Sequence, residues 1–479
     1  MTTTAHAPAA ALVTVTRGSR AVRVALTVAL AGIAVNARGA DLWNVYQSAL
    51  RNDPTFAGAE ANYRAAQESR PIARAAYLPA ISATGQRQVE KSNGQVPLVF
   101  DPTTNSYIES NGRFRSYTTT YTAQLTQPIF DWTAWESIRQ ADAVVAQAQA
   151  QFVAAQQDLI VRTATAYFNV ITARDTMAAD HAATAAYRLE LKQAEGRYQA
   201  GSGTVIDVEN ARAALDQSTA AEIAAHQQII NAEEDLRAIT GEPVGALLEP
   251  GPDLPLRAPD PDNGGRWVDT ALAQNPTLKA ARAAADVASR NVAIKRSGHY
   301  PTLNLVLSHS YNHNDQYSAI QGIDVGQAQS LNGNTIMLQV RVPIYSGGAV
   351  RAAVTQAQRQ YDSAEDQVRL ARRQTEQKAR TAYLGVLTGI SQVNALRQSV
   401  QSNETSLRYM EAGMRAGTRT IVDVTLARQN LVAAQTAYAQ SRAGYLTGLL
   451  LLKQAAGILG PEDLKQISVL LRASATERP

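Results

Sequence analysis

With six histidines and no cysteine, this 479-residue chain has few side chains suited to covalent or metal chemistry. Without a thiol there is no disulfide, thiolate metal site, cysteine nucleophile or lipid-bearing N-terminal cysteine. His309 and His313 stand four apart. They fall in an alternating stretch that reads as a strand, whose rise sets them about 13 Å apart. The Gly-Ser-Gly at 201–203 lacks the strand that leads into a nucleotide loop, and no phosphate loop, GxSxG or HExxH occurs. No catalytic, metal or cofactor site is expected. The residues that do recur belong to a phrase written twice, AGSGTVIDV at 200–208 and AGTRTIVDV at 416–424, 216 residues apart. Gly201 and Gly417 permit the left-handed backbone of a tight helix-to-helix turn. Asp207 and Asp423 are placed to stabilise the first turn of a following helix through its peptide dipoles.

The phrase is part of a longer duplication. RNDPTF around Pro54 matches AQNPTL around Pro276, and AYLPAI at Pro79 matches HYPTL at Pro301, both at an offset of 222. QPIFD at Pro128 matches VPIYS at Pro343 at 215, while TAYFNVI around Tyr167 and ITG at Gly241 match TAYLGVL and AAG at 216. The drift lies between the paired prolines, so that segment holds a loop of variable length. The expected organisation is a first repeat at 41–240, a Pro/Gly-rich linker at 241–265, a second repeat at 266–457 and a tail at 458–479. Each repeat runs helix, strand, loop, strand, long helix, turn, helix, with the strand pairs inside 80–127 and 302–343.

The long helices are predicted over 131–199 and 346–415, neither holding a proline. Seventy residues span about 105 Å. Shorter helices at about 41–75 and 204–240, and at 266–299 and 419–456, laid end to end could cover one long helix each. From Val424 through Ala427, Leu431, Ala434, Tyr438 and Ser441 to Leu452, large and small residues step by three and four, a coiled-coil seam. The equivalent row from Val208 to Leu236 has one exception, Glu222.

The predicted strands, about ten residues each, carry one apolar face: Leu303, Leu305 and Leu307 in one, Ile336, Leu338 and Val340 in another. Such a face suits an outer-membrane barrel or a half-buried soluble sheet. Four strands do not close a barrel, and lipid does not tolerate an open edge. Two chains would give eight strands and a filled interior; three give twelve and a lumen, so a trimer suits a conduit.

The first forty residues read as a signal peptide: Arg17, Arg20 and Arg23, then an apolar run at 24–35, with cleavage after Ala37 or Ala40. The four arginines of residues 1–40, with no acid among them, account for the whole formal charge of +4. The remainder has no basic surplus to bind nucleic acid. No later segment approaches eighteen apolar residues, so no membrane-spanning helix is expected.

RYQAGSGTVIDVENARAALD, AGTRTIVDVTLARQNL, GHYPTLNL, VPIYSGGAVRAAVTQAQ and GYLTGLLLLKQAAGIL resemble the TolC family of outer-membrane exit ducts. The resemblance covers residues 41–471 in order. It implies a mainly α homotrimer in which a twelve-stranded transmembrane β-barrel, four strands per chain, continues into a twelve-helix coiled-coil tunnel in the periplasm. It also implies partners: outer-membrane lipid, a periplasmic adaptor and an inner-membrane pump, ABC or proton-driven, for drug efflux or type I protein secretion. By this resemblance the repeated phrases lie at the far periplasmic tip, where Ala200, Gly201, Ser202, Ala416, Gly417 and Thr418 would meet the adaptor. Asp423 falls where the family places an acidic ring at the constriction, and Asp207 and Arg419 where it links neighbouring helices to hold the entrance shut. Two positions depart from the pattern. Met414 stands at the site of a gate tyrosine, and Leu426 where a second acidic ring occurs. A looser gate with a single acidic ring is the expectation. A surface coiled-coil stalk without channel activity is the alternative.

Overall fold

The computed structural model describes residues 40–472 apart from 102, 104, 252–253 and 321–322. The signal-peptide segment, save Ala40, lies outside the described residues. In chain order the elements are α1 (Leu42–Asn52), α2 (Pro54–Gln67), α3 (Ser69–Ala75), β1 (Ala80–Asp101), β2 (Ser106–Phe130), α4 (Trp132–Gln199) and α5 (Val205–Thr240). There follow β3 (Glu249–Pro250), α6 (Gly264–Gln274), α7 (Pro276–Ser297), β4 (Thr302–Ile320), β5 (Ile323–Arg341), α8 (Ala349–Arg415), α9 (Ile421–Ala456), α10 (Pro461–Ser468) and β6 (Leu471–Arg472).

The two long helices are α4, with 68 residues, and α8, with 67; each is about 100 Å long at 1.5 Å per residue. Asp131 starts α4 by accepting from the backbone N–H groups of Thr133 (2.8 Å) and Ala134 (3.2 Å), two of the donors a helix start leaves unpaired. Shorter helices line the long ones largely as expected: α2, α3 and α5 pack on α4, and α6 and α9 on α8, but α7 lies between the two and packs on α4 at least as extensively as on α8, and α9 also touches α4. Among the described residues no helix is long and apolar enough to cross a membrane.

The stretches 41–75 and 266–299 are not the single helices expected. They break before Pro54 and Pro276, whose rings cannot donate to the preceding turn. Asp53 and Asn275 take up the new helix starts: Asp53 Oδ1 accepts from Thr55 N–H (2.9 Å), and Asn275 Oδ1 from Thr277 (2.9 Å) and Leu278 (3.1 Å). These breaks seat a second repeated feature. Gly241 (φ +77°) and Gly457 (φ +76°) end α5 and α9 in the left-handed region. Asn52 Nδ2 donates to Thr240 O (2.7 Å), and Asn275 Nδ2 to Ala455 O (2.9 Å). A Cβ on Gly241 would lie 2.9 Å from a side-chain atom of Asn52, but one on Gly457 would lie 2.5 Å from the backbone of Asn275. Gly457→Ala is therefore expected to cost about 2–4 kcal/mol, the left-handed strain plus a backbone shift. Thermal unfolding should show a larger drop for Gly457→Ala than for Gly241→Ala; equal drops would refute the backbone argument.

The seam is buried as its spacing predicts: Val424, Ala427, Ala434, Ser441, Tyr445 and Leu452 on α9, and Val208, Ala211, Ser218, Ala225 and Leu236 on α5. Glu222, the polar exception, meets His181 Nδ1 of α4 at 2.7 Å across the hairpin. The largest apolar core surrounds the middle of α4, where Tyr167 and Phe168 join Leu42, Leu236, Leu446 and Leu450. The Tyr167 hydroxyl donates to Leu248 O at 2.7 Å. Leu464, Ile467 and Leu471, from the tail, complete this core, and β6 pairs with β3.

The four long strands form one antiparallel sheet in the order β1-β2-β4-β5, with Ile81 opposite Leu125, Leu125 opposite Leu307, and Leu307 opposite Ile336. They run to 22, 25, 19 and 19 residues, about twice the length expected. The apolar alternation ends near Tyr121 and Tyr311, but backbone pairing needs no apolar side chains, so the hairpins continue through polar residues. β1 and β5 end the sheet, each with one side unpaired among the described residues.

Candidate functional site

The repeated phrases form two helix-to-helix turns of nearly the same geometry. At the first, Ala200 N–H donates to Gly196 O (3.0 Å), Gly201 N–H to Tyr198 O (3.0 Å) and Ser202 N–H to Arg197 O (2.9 Å). At the second, Ala416, Gly417 and Thr418 repeat the pattern to Ala412 (3.0 Å), Met414 (3.1 Å) and Gly413 (2.8 Å). Gly201 (φ +72°) and Gly417 (φ +76°) supply the left-handed residue that lets each long helix reverse in a few residues. Ala200, Gly201, Ser202, Ala416, Gly417 and Thr418 are all exposed.

Each turn leads into a reciprocal cap. Asp207 Oδ2 accepts from Thr204 N–H (3.1 Å) and hydroxyl (2.8 Å), while Asp207 N–H donates back to the Thr204 hydroxyl (3.2 Å). Asp423 does the same with Thr420 at 2.9, 2.9 and 3.2 Å. The hydrogen bonds from Thr420, with Arg419 close by, hold the Asp423 carboxyl below the ordinary carboxylate range. Asp423 is thus a fixed negative charge beside the turn, pointed by its own helix cap.

Arg419 is exposed, and its stem covers Gly413, where a Cβ would lie 2.7 Å from Arg419 Cγ. Among the described residues no ion pair joins Arg419 to Asp207 within the chain. Met414 packs into two apolar clusters at once. One holds Ala194, Val208, Ala211 and Ile421; the other holds Leu407, Val424 and Ala427. It therefore sits where the α4–α5 hairpin meets the α8–α9 hairpin.

The sequence reading missed a further set of charges near the tip. Arg428 on α9 donates from Nη2 to Glu190 Oε1 of α4 (2.7 Å) and to Glu411 Oε1 of α8 (2.8 Å), and from Nε to Glu190 Oε1 (3.2 Å). Its guanidinium lies 5.7 Å from the Tyr187 ring centre, and the Tyr187 hydroxyl donates to Thr425 O (3.3 Å). Glu190 is buried, and burial raises its carboxyl pKa in spite of Arg428. One signal was visible: an arginine immediately after seam residue Ala427, where a solvated charge has little room. Its partners stand 238 and 17 residues away, and no local spacing marks them.

Long helical hairpins with charged tips, joined to a sheet apolar on one face, are the parts of a membrane duct. The sequence pattern of the outer membrane efflux protein family matches residues 45–242 and 267–458. Outer membrane protein TolC of Escherichia coli (strain K12) is 32% identical over 463 residues, 95% of this chain and 90% of that protein. The alkaline protease secretion protein AprF of Pseudomonas aeruginosa is 27% identical over 425 residues, 88% and 85% of the two chains. Among solved structures, the Campylobacter jejuni CmeC outer membrane channel shares the fold with a TM-score of 0.69 and 17% identity, over 91% of this chain and 90% of that one. VceC from Vibrio cholerae does so with 0.67 and 21%, over 87% and 96%. The chain belongs to the outer membrane efflux protein family. It is an outer-membrane duct protein of the TolC kind, not an enzyme, with its sheet in the outer membrane and its helices in the periplasm.

Proposed function

We propose that three copies of this chain assemble one duct, which takes substrate from an inner-membrane pump, ABC or proton-driven, through a periplasmic adaptor and releases it outside. The observation that carries this is the open sheet. β1 and β5 each leave an edge unpaired beside an apolar face, which lipid does not tolerate. Pairing β1 of one copy with β5 of the next satisfies both edges, and three copies give twelve strands, enough for a lumen. Each repeat, 41–240 and 266–457, then supplies one strand pair and one helical hairpin, joined by the linker 241–265. The exposed turns at 200–202 and 416–418 are the adaptor contacts, and Asp423 rings the entrance. Efflux of small molecules and type I secretion of proteins would share this route: the family is described by efflux, and AprF among the relatives is named for secretion of an alkaline protease.

The test is the mass of the purified oligomer together with its conductance in a planar bilayer. A trimer giving discrete, cation-selective steps is the expected result. A folded trimer without channels would return the protein to the reading of a surface stalk.

A further inference from the structure

The strand register sorts the sheet into two faces. One carries Ile81, Leu125, Leu307 and Ile336 in a single cross-strand row, and the stacked pair Tyr121 and Tyr311 (ring centres 6.4 Å apart) two rows further out. The opposite face carries Ser82, Thr84, Gln124, Thr122, Ser308 and Ser310, and so lines the lumen. From Leu303 to Tyr311 this face runs for about 26 Å of strand, close to the ~25 Å apolar band of an outer-membrane barrel, interrupted by one mutually hydrogen-bonded polar pair, His309 and Asn334 (2.7 Å). The tyrosine pair sits where an interfacial aromatic girdle belongs.

Beyond that girdle the same face turns basic. Arg87 lies in the next row, level with Thr119; Lys91 stands directly opposite Arg115, and Arg113 opposite Asn93. All four cations are exposed. Opposed like charges on neighbouring strands repel, and among the described residues no carboxylate forms an ion pair with any of the four. The nearest acid on this face, Asp315, is met by His313 Nε2 at 3.3 Å. Glu90, on the same strand, points to the other face by alternation. Four exposed cations that form no ion pair among the described residues, just above the lipid-facing band, are complementary to phosphate at headgroup level.

We propose that the outward face of the β1–β2 hairpin binds phosphate-bearing lipid headgroups of the outer leaflet through Arg87, Lys91, Arg113 and Arg115. Multivalent phosphate contact offsets the repulsion between Lys91 and Arg115 and anchors the barrel at a fixed depth. The inference rests on the outer-membrane placement of the sheet, and its test separates the two. Purified full-length oligomer in detergent is titrated with lipid A bearing both phosphates and with the same lipid dephosphorylated, bound lipid being counted by native mass spectrometry. The phosphorylated form should bind about tenfold or more tighter, and the preference should fall to about twofold or less when all four cations become glutamine. Should that variant fail to assemble, the pairs Arg87→Gln/Lys91→Gln and Arg113→Gln/Arg115→Gln should each remove part of the preference. Glu90→Gln, on the lumen face, should not reduce it. Equal binding of the two lipids, or a preference unchanged in the glutamine variants, overturns the proposal. Loss of channel activity in the unmodified protein would instead overturn the duct reading.

Discussion

Replacing Arg428 with methionine is expected to raise the open probability of the duct several-fold and to lower its thermal midpoint. The guanidinium joins α9 to α4 and α8 through contacts of 2.7 and 2.8 Å, so any widening of the tip that separates these helices would break it. Removing one partner of a buried pair strands the other charge, at a cost of about 3 kcal/mol. Glu411 is about one-third exposed, so water recovers part of this, leaving about 1–3 kcal/mol against the narrow form. Every 1.4 kcal/mol is roughly a tenfold shift in an equilibrium, which makes the effect visible in recordings of open probability. Lysine at 428 should fall between, keeping the charge but losing the two-armed geometry. Open probability and midpoint both unchanged in Arg428→Met would remove the bridge from the gating account.

Acidity should act on the same bridge in the opposite direction. Burial raises the Glu190 pKa in the packed form, whereas in a widened tip the carboxyl would meet water and titrate normally. The packed form then holds the proton more tightly, so lowering the pH through the raised value favours packing. The effect saturates below the ordinary carboxylate range, where both forms are protonated. The groups facing Glu190 are Arg428, Glu411 and Tyr187, and Arg428 keeps Glu411 as partner when Glu190 is neutral. Open probability should therefore fall on mild acidification, and Glu190→Gln should flatten that dependence.

The second large effect is expected from Asp423→Asn, which should abolish most of the cation selectivity without unfolding the tip. Three carboxylates around one axis favour cations, and Leu426 stands where a second acid would reinforce them. Asparagine still accepts from Thr420 N–H through its carbonyl, so the cap that points this side chain survives while its charge does not. Asp423→Ala would lose both, and comparing the two separates charge from capping. Because its pKa is held down, the Asp423 charge and the stability of its cap are both present above the ordinary carboxylate range. They are lost only as the pH falls through the lowered value. A reversal potential in a salt gradient that is the same for wild type and Asp423→Asn would place the constriction elsewhere.

Much of this architecture could be read from the chain because it rests on local or periodic signals. The duplication, the proline-free runs that became α4 and α8, the seam from Val424 to Leu452 and the glycines at 201 and 417 are all patterns of residue type at fixed spacing. Helix period, turn chemistry and strand alternation follow from backbone geometry that each residue carries with it. Errors arose where a local signal was overridden or ran out. Pro54 and Pro276 each end a helix for the same steric reason, although the periodic pattern runs on across both. The strands continued past their apolar rows because a paired backbone needs only a partner.

What the one-dimensional pattern could not contain is which charges meet. Asp207 and Asp423 were marked by the repeated phrase, but their reciprocal bonds to Thr204 and Thr420 depend on the turn geometry. Met414 departs from a family pattern in sequence; its place in two apolar clusters depends on how two hairpins pack. Glu190, Arg428 and Glu411 come from three helices, and each alone looks like one more charge on a long polar coil. Coulomb and desolvation energies depend on distance and burial, which arise only when the helices are laid together. The chain therefore carries the elements and their turns in its local chemistry, while the pairing that couples one hairpin to the other belongs to the packed structure.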